Sequence, residues 1–240
     1  MDESLPAGTT EIEPTTTRAR RERGVSAVQQ VYDHLRDRII NLKLPPGAPI
    51  AKGKIAAEFG LSQTPVREAL LRLADEGLVD IFPQSGTMVS LIDVQHAREA
   101  HFIRLAVEVE VQRVLAETID AEGMAELRAW VERQITELKA GSQTAFKQAD
   151  NQFHDAMFRL AGVHGLARLL QAQRGHYDRI RGLYLREHER RETVVEEHNA
   201  ILAALNKRDA AAAEAGVRRH LGKSLAQIDE IRELNPGYFS

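Results

Sequence analysis

The sequence predicts a mainly α protein, with an N-terminal winged helix-turn-helix followed by an all-α helical bundle. Three observations predict it. Between residues 26 and 92, apolar periodicity and turn residues run in the order helix, helix, turn, helix, two-stranded hairpin. From Val94 onward every periodic segment has helical spacing. No apolar run approaches the roughly 18 residues that a membrane-crossing helix needs. The expected organisation is a flexible arm over residues 1–25, the winged helix-turn-helix over 26–93, and the helical domain over 94–235.

The first helix follows from Val28, Val31, Leu35, Ile39 and Leu42, spaced by threes and fours, and "LPPG" (44–47) ends it. A short helix over about 52–59 turns Ile55, Ala56 and Phe59 inward, with Gly60 as its C-terminal cap. In "LSQTPVREALLRLADEG" (61–77), Ser62 suits the N-cap and Pro65 falls in the first turn, where its missing N–H costs little. Val66, Ala69, Leu70 and Leu73 form the buried face and Gly77 closes the end. "LVDIF" and "TMVSL" then alternate as strands around "PQSG" (83–86). The third helix, over 63–75, is thereby placed as the recognition helix.

In the second half, "VEVEV" (107–111) alternates like a strand, but Phe102, Leu105 and Val109, with Ile103, Val107 and Val114, trace helical faces. Further helices are expected over 121–139, 143–161, 166–187, 193–207 and 209–233, with breaks at "KAGS", "GVHG" and "KRD". The result is a bundle of about six helices.

Hydrophobic content of 43% supports a real core, and a net charge of −3 does not announce nucleic acid. The chain has no cysteine, which excludes disulfides, thiolate zinc sites and a cysteine nucleophile. The N-terminal stretch has no apolar segment and does not read as a signal peptide. A cytoplasmic protein, without membrane attachment, is expected.

"DNQFHDAMF" (150–158) is helical by its spacing of Phe153, Met157 and Leu160, and it stacks Asp150 and His154 one turn apart. A carboxylate and an imidazole so placed can hold a metal, form a catalytic pair, or serve only as surface polar groups. His198 and His220 lie on the last two helices, and a short turn between antiparallel helices could bring them level. His164, His176 and His188 are expected at the surface, in turns or on a polar face.

Three ordered stretches, "LPPG", "LSQTPVREALLRLADEGLV" and "PQSGTMVS", resemble the DNA-binding domain of GntR-family transcription regulators over residues 28–92. The second half resembles the helical ligand-binding (FCD) domain of the FadR-type branch, through "IRLAVE" (103–108), "DNQFH" (150–154), "EEHNAILAAL" (196–205) and His220 in "VRRHL". The resemblance implies a ligand-responsive regulator, mostly a repressor, that binds a double-stranded operator as a homodimer. It implies that Asp150, His154, His198 and His220 form a metal site. Three imidazoles and a carboxylate suit Zn first, with Ni, Mn or Fe also within their chemistry. A small organic acid or other carboxylate-bearing effector would fill the open positions. Arg104 matches an arginine of the effector pocket, while an i,i+4 ion pair with Glu108 is the plainer role for it.

For DNA, the first turn of the recognition helix offers Ser62, Gln63, Thr64 and Arg67 to base edges and phosphates. The family usually carries arginine where this chain has Gln63, which bears on base preference. Lys52 and Lys54 are placed toward phosphate, and Gln84, Ser85 and Gly86 at the wing tip. Residues 31–94 hold seven Lys+Arg against eight Asp+Glu, a local balance of −1, so modest affinity per protomer and dependence on dimerisation are expected. The rival reading is a metal-dependent enzyme, a hydrolase or oxygenase, fused to a DNA-binding domain.

Overall fold

A computed structural model describes residues 25–84 and 86–240. Most of the expected arm and the wing-tip Ser85 lie outside the described residues. The elements run α1 (Ala27–Ile40), α2 (Lys52–Phe59), α3 (Gln63–Asp75), β1 (Val79–Phe82), β2 (Gly86–Val89), α4 (Val94–Thr118), α5 (Ala121–Lys139) and α6 (Gln143–Leu160). They continue with α7 (His164–Gln173), α8 (Gly175–Tyr184), α9 (His188–Asn206), α10 (Ala210–Ala226) and α11 (Ile228–Leu234).

The chain builds two hydrophobic cores. The first joins Val31, Leu35 and Ile39 of α1 to Val66, Leu70 and Leu73 of α3, with Leu78, Val79 and Val89 of the wing. Ser26 caps α1 by accepting the Gln29 N–H at 3.1 Å. Gly60 ends α2 in the left-handed conformation at φ 63°, which a side chain would resist. The wing is an antiparallel pair with Val79 opposite Val89 and Phe82 opposite Gly86. Its turn carries positive φ at Gln84 (67°) and Gly86 (116°).

The second core gathers Leu115, Leu127, Phe146, Phe153, Met157, Ile180, Ile201, Val217 and Leu221 from α4, α5, α6, α8, α9 and α10. α5 packs on α6, α9 on α10, and α10 on α4, so the bundle closes around the inner faces of α4, α6, α9 and α10. All ten residues of α8 are buried. This short helix lies between the two cores, against α1 on one side and α4, α10 and α11 on the other.

Four expectations are corrected. The single helix over 166–187 is two helices, broken at Arg174 (φ −94°, ψ 13°). The break lets Gly175 sit directly on Leu78 of the wing domain, where a Cβ would lie 2.6 Å from Leu78 Cδ2. Likewise the helix over 209–233 breaks at Gln227, and α9 starts at His188 rather than at 193. His176, expected at the surface, is buried at this junction, because the break at Arg174 turns it toward the wing domain. Burial, with Arg179 and His96 beside it, lowers its pKa to about 3, so the neutral ring accepts the Asp93 N–H at 2.9 Å.

Candidate metal centre and nucleic-acid interface

Four side chains from three helices converge in the bundle interior. Asp150 and His154 come from α6, one turn apart. His198 comes from α9 and His220 from α10, brought level across the Lys207–Asp209 turn. One ligand atom from each lies within 4.8 Å of the others, and all four residues are buried. His154 Nε2 and His198 Nε2 each stand 3.2 Å from His220 Nε2, and Asp150 Oδ1 is 3.9 Å from His198 Nε2.

The outer hydrogen bonds decide what this cluster can do. Each histidine has an acceptor at Nδ1: Glu108 Oε2 for His154 at 2.8 Å, Gln134 Oε1 for His198 at 2.9 Å, and Glu197 Oε2 for His220 at 3.0 Å. With the proton held at Nδ1, all three Nε2 atoms turn bare lone pairs toward one point. Three lone pairs facing each other repel, and Asp150 Oδ1 is buried with no hydrogen-bond partner. A cation at the centre would satisfy all four atoms. Ligand nitrogens about 2.1 Å from a metal and roughly 100° apart are about 3.2 Å from each other, so the observed spacing fits a coordination sphere.

Charge is matched around the cluster. Burial opposes ionisation of Asp150, but the Arg181 guanidinium, bonded to Oδ2, holds its carboxyl well below the usual range. Burial likewise opposes ionisation of Glu108, and Arg104 with His154 overcomes it. Burial lowers the pKa of His154 to about 4 despite Glu108 beside it, and it holds that of His198 well below the ordinary value. These imidazoles stay neutral and able to ligate. Lys223 Nζ, 2.6 Å from Glu197 Oε1, completes the support of His220.

Arg104 fulfils its plainer role and leaves room for the other. Its Nε donates to Glu108 Oε1 at 2.5 Å, inside the bundle. Its Nη1 and Nη2 are buried without partners, as is Arg181 Nη1, and the Arg104 guanidinium lies 5.6 Å from the Tyr177 ring centroid. Sequence reasoning missed Arg181, Gln134 and Glu197 as parts of this centre. Arg181 and Gln134 lie on helices with no motif of their own, and only Glu197, beside His198 in "EEHN", carried a local hint.

On the other half, Gln63, Thr64 and Arg67 are exposed in the first turn and a half of α3, and Ser62 occupies its N-cap with the hydroxyl unused by the helix. Lys54 is exposed and Lys52 half-exposed at the start of α2, and Gln84 and Gly86 are exposed at the wing tip. Among the described residues no ion pair engages Arg67, Lys52 or Lys54. Arg36 is unavailable to DNA: it pairs with Glu76 at 2.9 Å and donates to the Gln171 carbonyl across the domain junction.

A winged helix with a free recognition face is joined here to a helical domain with a buried polar centre, the layout of a transcription regulator. The "Bacterial regulatory proteins, gntR family" pattern matches residues 27–89 and the "FCD domain" pattern residues 99–223. The chain belongs to the GntR family of regulators, with an FCD second domain. It is 35% identical over 212 residues to an HTH-type transcriptional regulator in an unstable DNA locus of Streptomyces ambofaciens, covering 88% of this chain and 89% of that protein. It is 30% identical to the HTH-type transcriptional repressor RspR of Escherichia coli K12, covering 88% and 93%. Among solved structures, E. coli McbR/YncC superposes with a TM-score of 0.72 at 22% identity, over 86% of this chain and 98% of that one. A GntR regulator from Rhodococcus sp. RHA1 gives 0.73 at 23%, over 86% and 99%. These two likenesses speak for the fold. No helix among the described residues is long and apolar enough to cross a membrane.

Proposed function

We propose that the chain is a cytoplasmic repressor that binds operator DNA as a homodimer and releases it when a small carboxylate-bearing effector enters a metal-assisted pocket. In this reading residues 26–93 bind DNA and residues 94–235 bind effector and dimerise. The observation that carries it is the convergence of three Nδ1-anchored histidines and the unpaired Asp150 Oδ1 on one point. Asp150, His154, His198 and His220 would hold a divalent transition metal, Zn by preference, with Ni, Mn or Fe also suited. When bound, the metal supplies a Lewis-acid anchor for an anionic oxygen. The two unpaired Nη atoms of Arg104 are a fork suited to a carboxylate, Arg181 adds a single unpaired Nη1, and both sit beside the centre through Glu108 and Asp150.

Ser62, Gln63, Thr64 and Arg67 would read the major groove, with Lys52 and Lys54 on phosphate and the Gln84–Gly86 tip toward the minor groove. Phe102 and Ile103 of α4 and Leu166 and Leu169 of the adjoining α7 are large exposed apolar side chains, which supports a second copy covering this face. Metal per protomer, by elemental analysis of untagged protein prepared without chelator, tests the reading. About one ion in the wild type and little in His198→Ala is expected. No metal in either leaves the four residues idle and returns the pocket to a search among ligands that need none.

A further inference from the structure

Ser90–Asp93 join β2 to α4 and form the covalent link between the two cores. Backbone in a connecting segment usually turns to water. Here almost every polar group of the link is held by protein. The Ser90 N–H donates to the Leu78 carbonyl at 3.1 Å and the Ser90 hydroxyl to the Gly77 carbonyl at 2.5 Å. Arg179 Nη1 donates to the Ser90 carbonyl at 2.7 Å, and its Nη2 lies 2.9 Å from His176 Nδ1, 3.2 Å from Ser90 Oγ and 3.4 Å from the Leu91 carbonyl. His176 takes the Asp93 N–H.

Both backbone groups of Ile92 are held by residues 238–240. The Ile92 N–H donates to the Tyr238 carbonyl at 2.8 Å, and the Ser240 N–H donates to the Ile92 carbonyl at 3.2 Å, with the Ser240 hydroxyl on the same oxygen at 3.4 Å. Ile92 and Phe239 thus pair as a parallel bridge. Tyr238 and Phe239 pack against the second core, and Asn235 anchors the segment through Ile231 and Arg186.

Arg179 is fully buried, and among the described residues no carboxylate pairs with it. Burying a guanidinium with no direct ion pair is costly, and Asp80 offsets that only at longer range. Its carbonyl partners all belong to the link, so the link is what that cost serves.

We propose that Arg179 and Tyr238–Ser240 form a two-part clasp on the interdomain link, which fixes the orientation of the winged helix on the helical bundle and frees it when opened. Arg179 lies two residues before Arg181, the partner of Asp150, so α8 joins the clasp to the buried centre. The clasp itself stands apart from the metal reading.

The test uses the full chain, which has no cysteine, so spin labels at Glu68→Cys and Glu132→Cys are site-specific, and both positions are exposed. Labelled chain is diluted into excess unlabelled chain, and the distance distribution is measured by electron–electron resonance. The otherwise unaltered chain should give one narrow distribution. Arg179→Gln and deletion of residues 238–240 should each broaden it, and together they should broaden it most. The Ile92 and Asp93 amides should exchange with solvent about fivefold faster or more, as loss of a hydrogen bond implies, with α5 and α6 unchanged. A narrow, unshifted distribution in the combined variant would overturn the proposal and leave orientation to contacts such as Arg36 with Gln171. Should the deletion fail to fold, Ser240→Pro removes both donors to Ile92 and keeps Tyr238 and Phe239. The same narrow distribution in Arg179→Gln with Ser240→Pro is equally fatal.

Discussion

Replacing Gln134 with leucine separates a metal centre from a merely polar core. Gln134 Oε1 accepts from His198 Nδ1 at 2.9 Å, and both residues are fully buried. Leucine fills nearly the same volume but offers no acceptor. The imidazole then loses the bond that keeps its proton on Nδ1, and a proton on Nε2 blocks the lone pair a metal needs. Removing such an outer bond weakens metal binding about 10- to 100-fold, or about 1.4–2.8 kcal/mol. Stability without metal should change by no more than about 1 kcal/mol, since the variant also removes Gln134 Nε2, which is buried and unpaired. Affinity is read by competition with a chromophoric chelator, and stability by calorimetry in excess chelator. Unchanged metal affinity in Gln134→Leu, beside loss of metal in His198→Ala, would show that the Nδ1 bond does not prepare His198 for ligation. A loss of several kcal/mol in chelator would make the pair a structural bond instead.

Arg67→Ala should abolish preference for an operator selected from random duplexes, while melting temperature and metal content hold; unchanged anisotropy titrations would remove Arg67 from the interface. Arg104→Lys should keep a charge beside Glu108 and so cost little stability, but lower the affinity of carboxylate probes in calorimetry because the free fork is gone; equal affinity would return Arg104 to its ion pair alone. Gly175→Ala should destabilise by about 1–3 kcal/mol in denaturant titrations, because the new Cβ meets Leu78 at 2.6 Å at the domain junction. Lys147, buried on the Ile40 carbonyl, has its pKa lowered by burial from 10.5 to about 8. Below about pH 8 the folded and unfolded chains both hold the proton, and a penalty of about 3 kcal/mol is fully present. Between about pH 8 and 10.5 only the unfolded chain holds it, so wild-type stability should rise relative to Lys147→Met; a flat difference would refute the shift.

The fold was legible where local signals are strong. The "LPPG" stop, the Gly60 cap, Pro65 in the first turn of α3 and the alternating wing each act within a few residues, and the elements form where those signals fall. The break at Arg174 was hidden because residues 166–187 keep helical spacing throughout. What breaks them is the fit of Gly175 against Leu78, nearly a hundred positions earlier in sequence. His176 was misplaced for the same reason: its acceptor role belongs to a junction that only tertiary packing creates. Four of the buried polar residues could be proposed from spacing and resemblance, because Asp150 and His154 share a helix face. Arg181 meets Asp150 from another helix, and no periodicity reports such a pairing.

The competing roles proposed for Arg104 by its sequence neighbours turn out to be compatible. Its Nε and one oxygen of Glu108 make the i,i+4 pair, and the other oxygen of that carboxylate holds His154 in the tautomer a metal requires. Glu108 is therefore shared between the arginine and the histidine, and each depends on the other's partner. Asp150 repeats the arrangement, with Oδ2 on Arg181 and Oδ1 left toward the centre. Each carboxylate thus ties one guanidinium to the histidine cluster; Arg104 keeps both Nη atoms unpaired and Arg181 keeps Nη1. A ligand that drew on those nitrogens would perturb Glu108 and Asp150 together, and through Arg181 it would reach α8. Since α8 also carries Arg179 and His176 on the link to the winged helix, a carboxylate bound at the centre would have a short, buried route to the DNA-binding half.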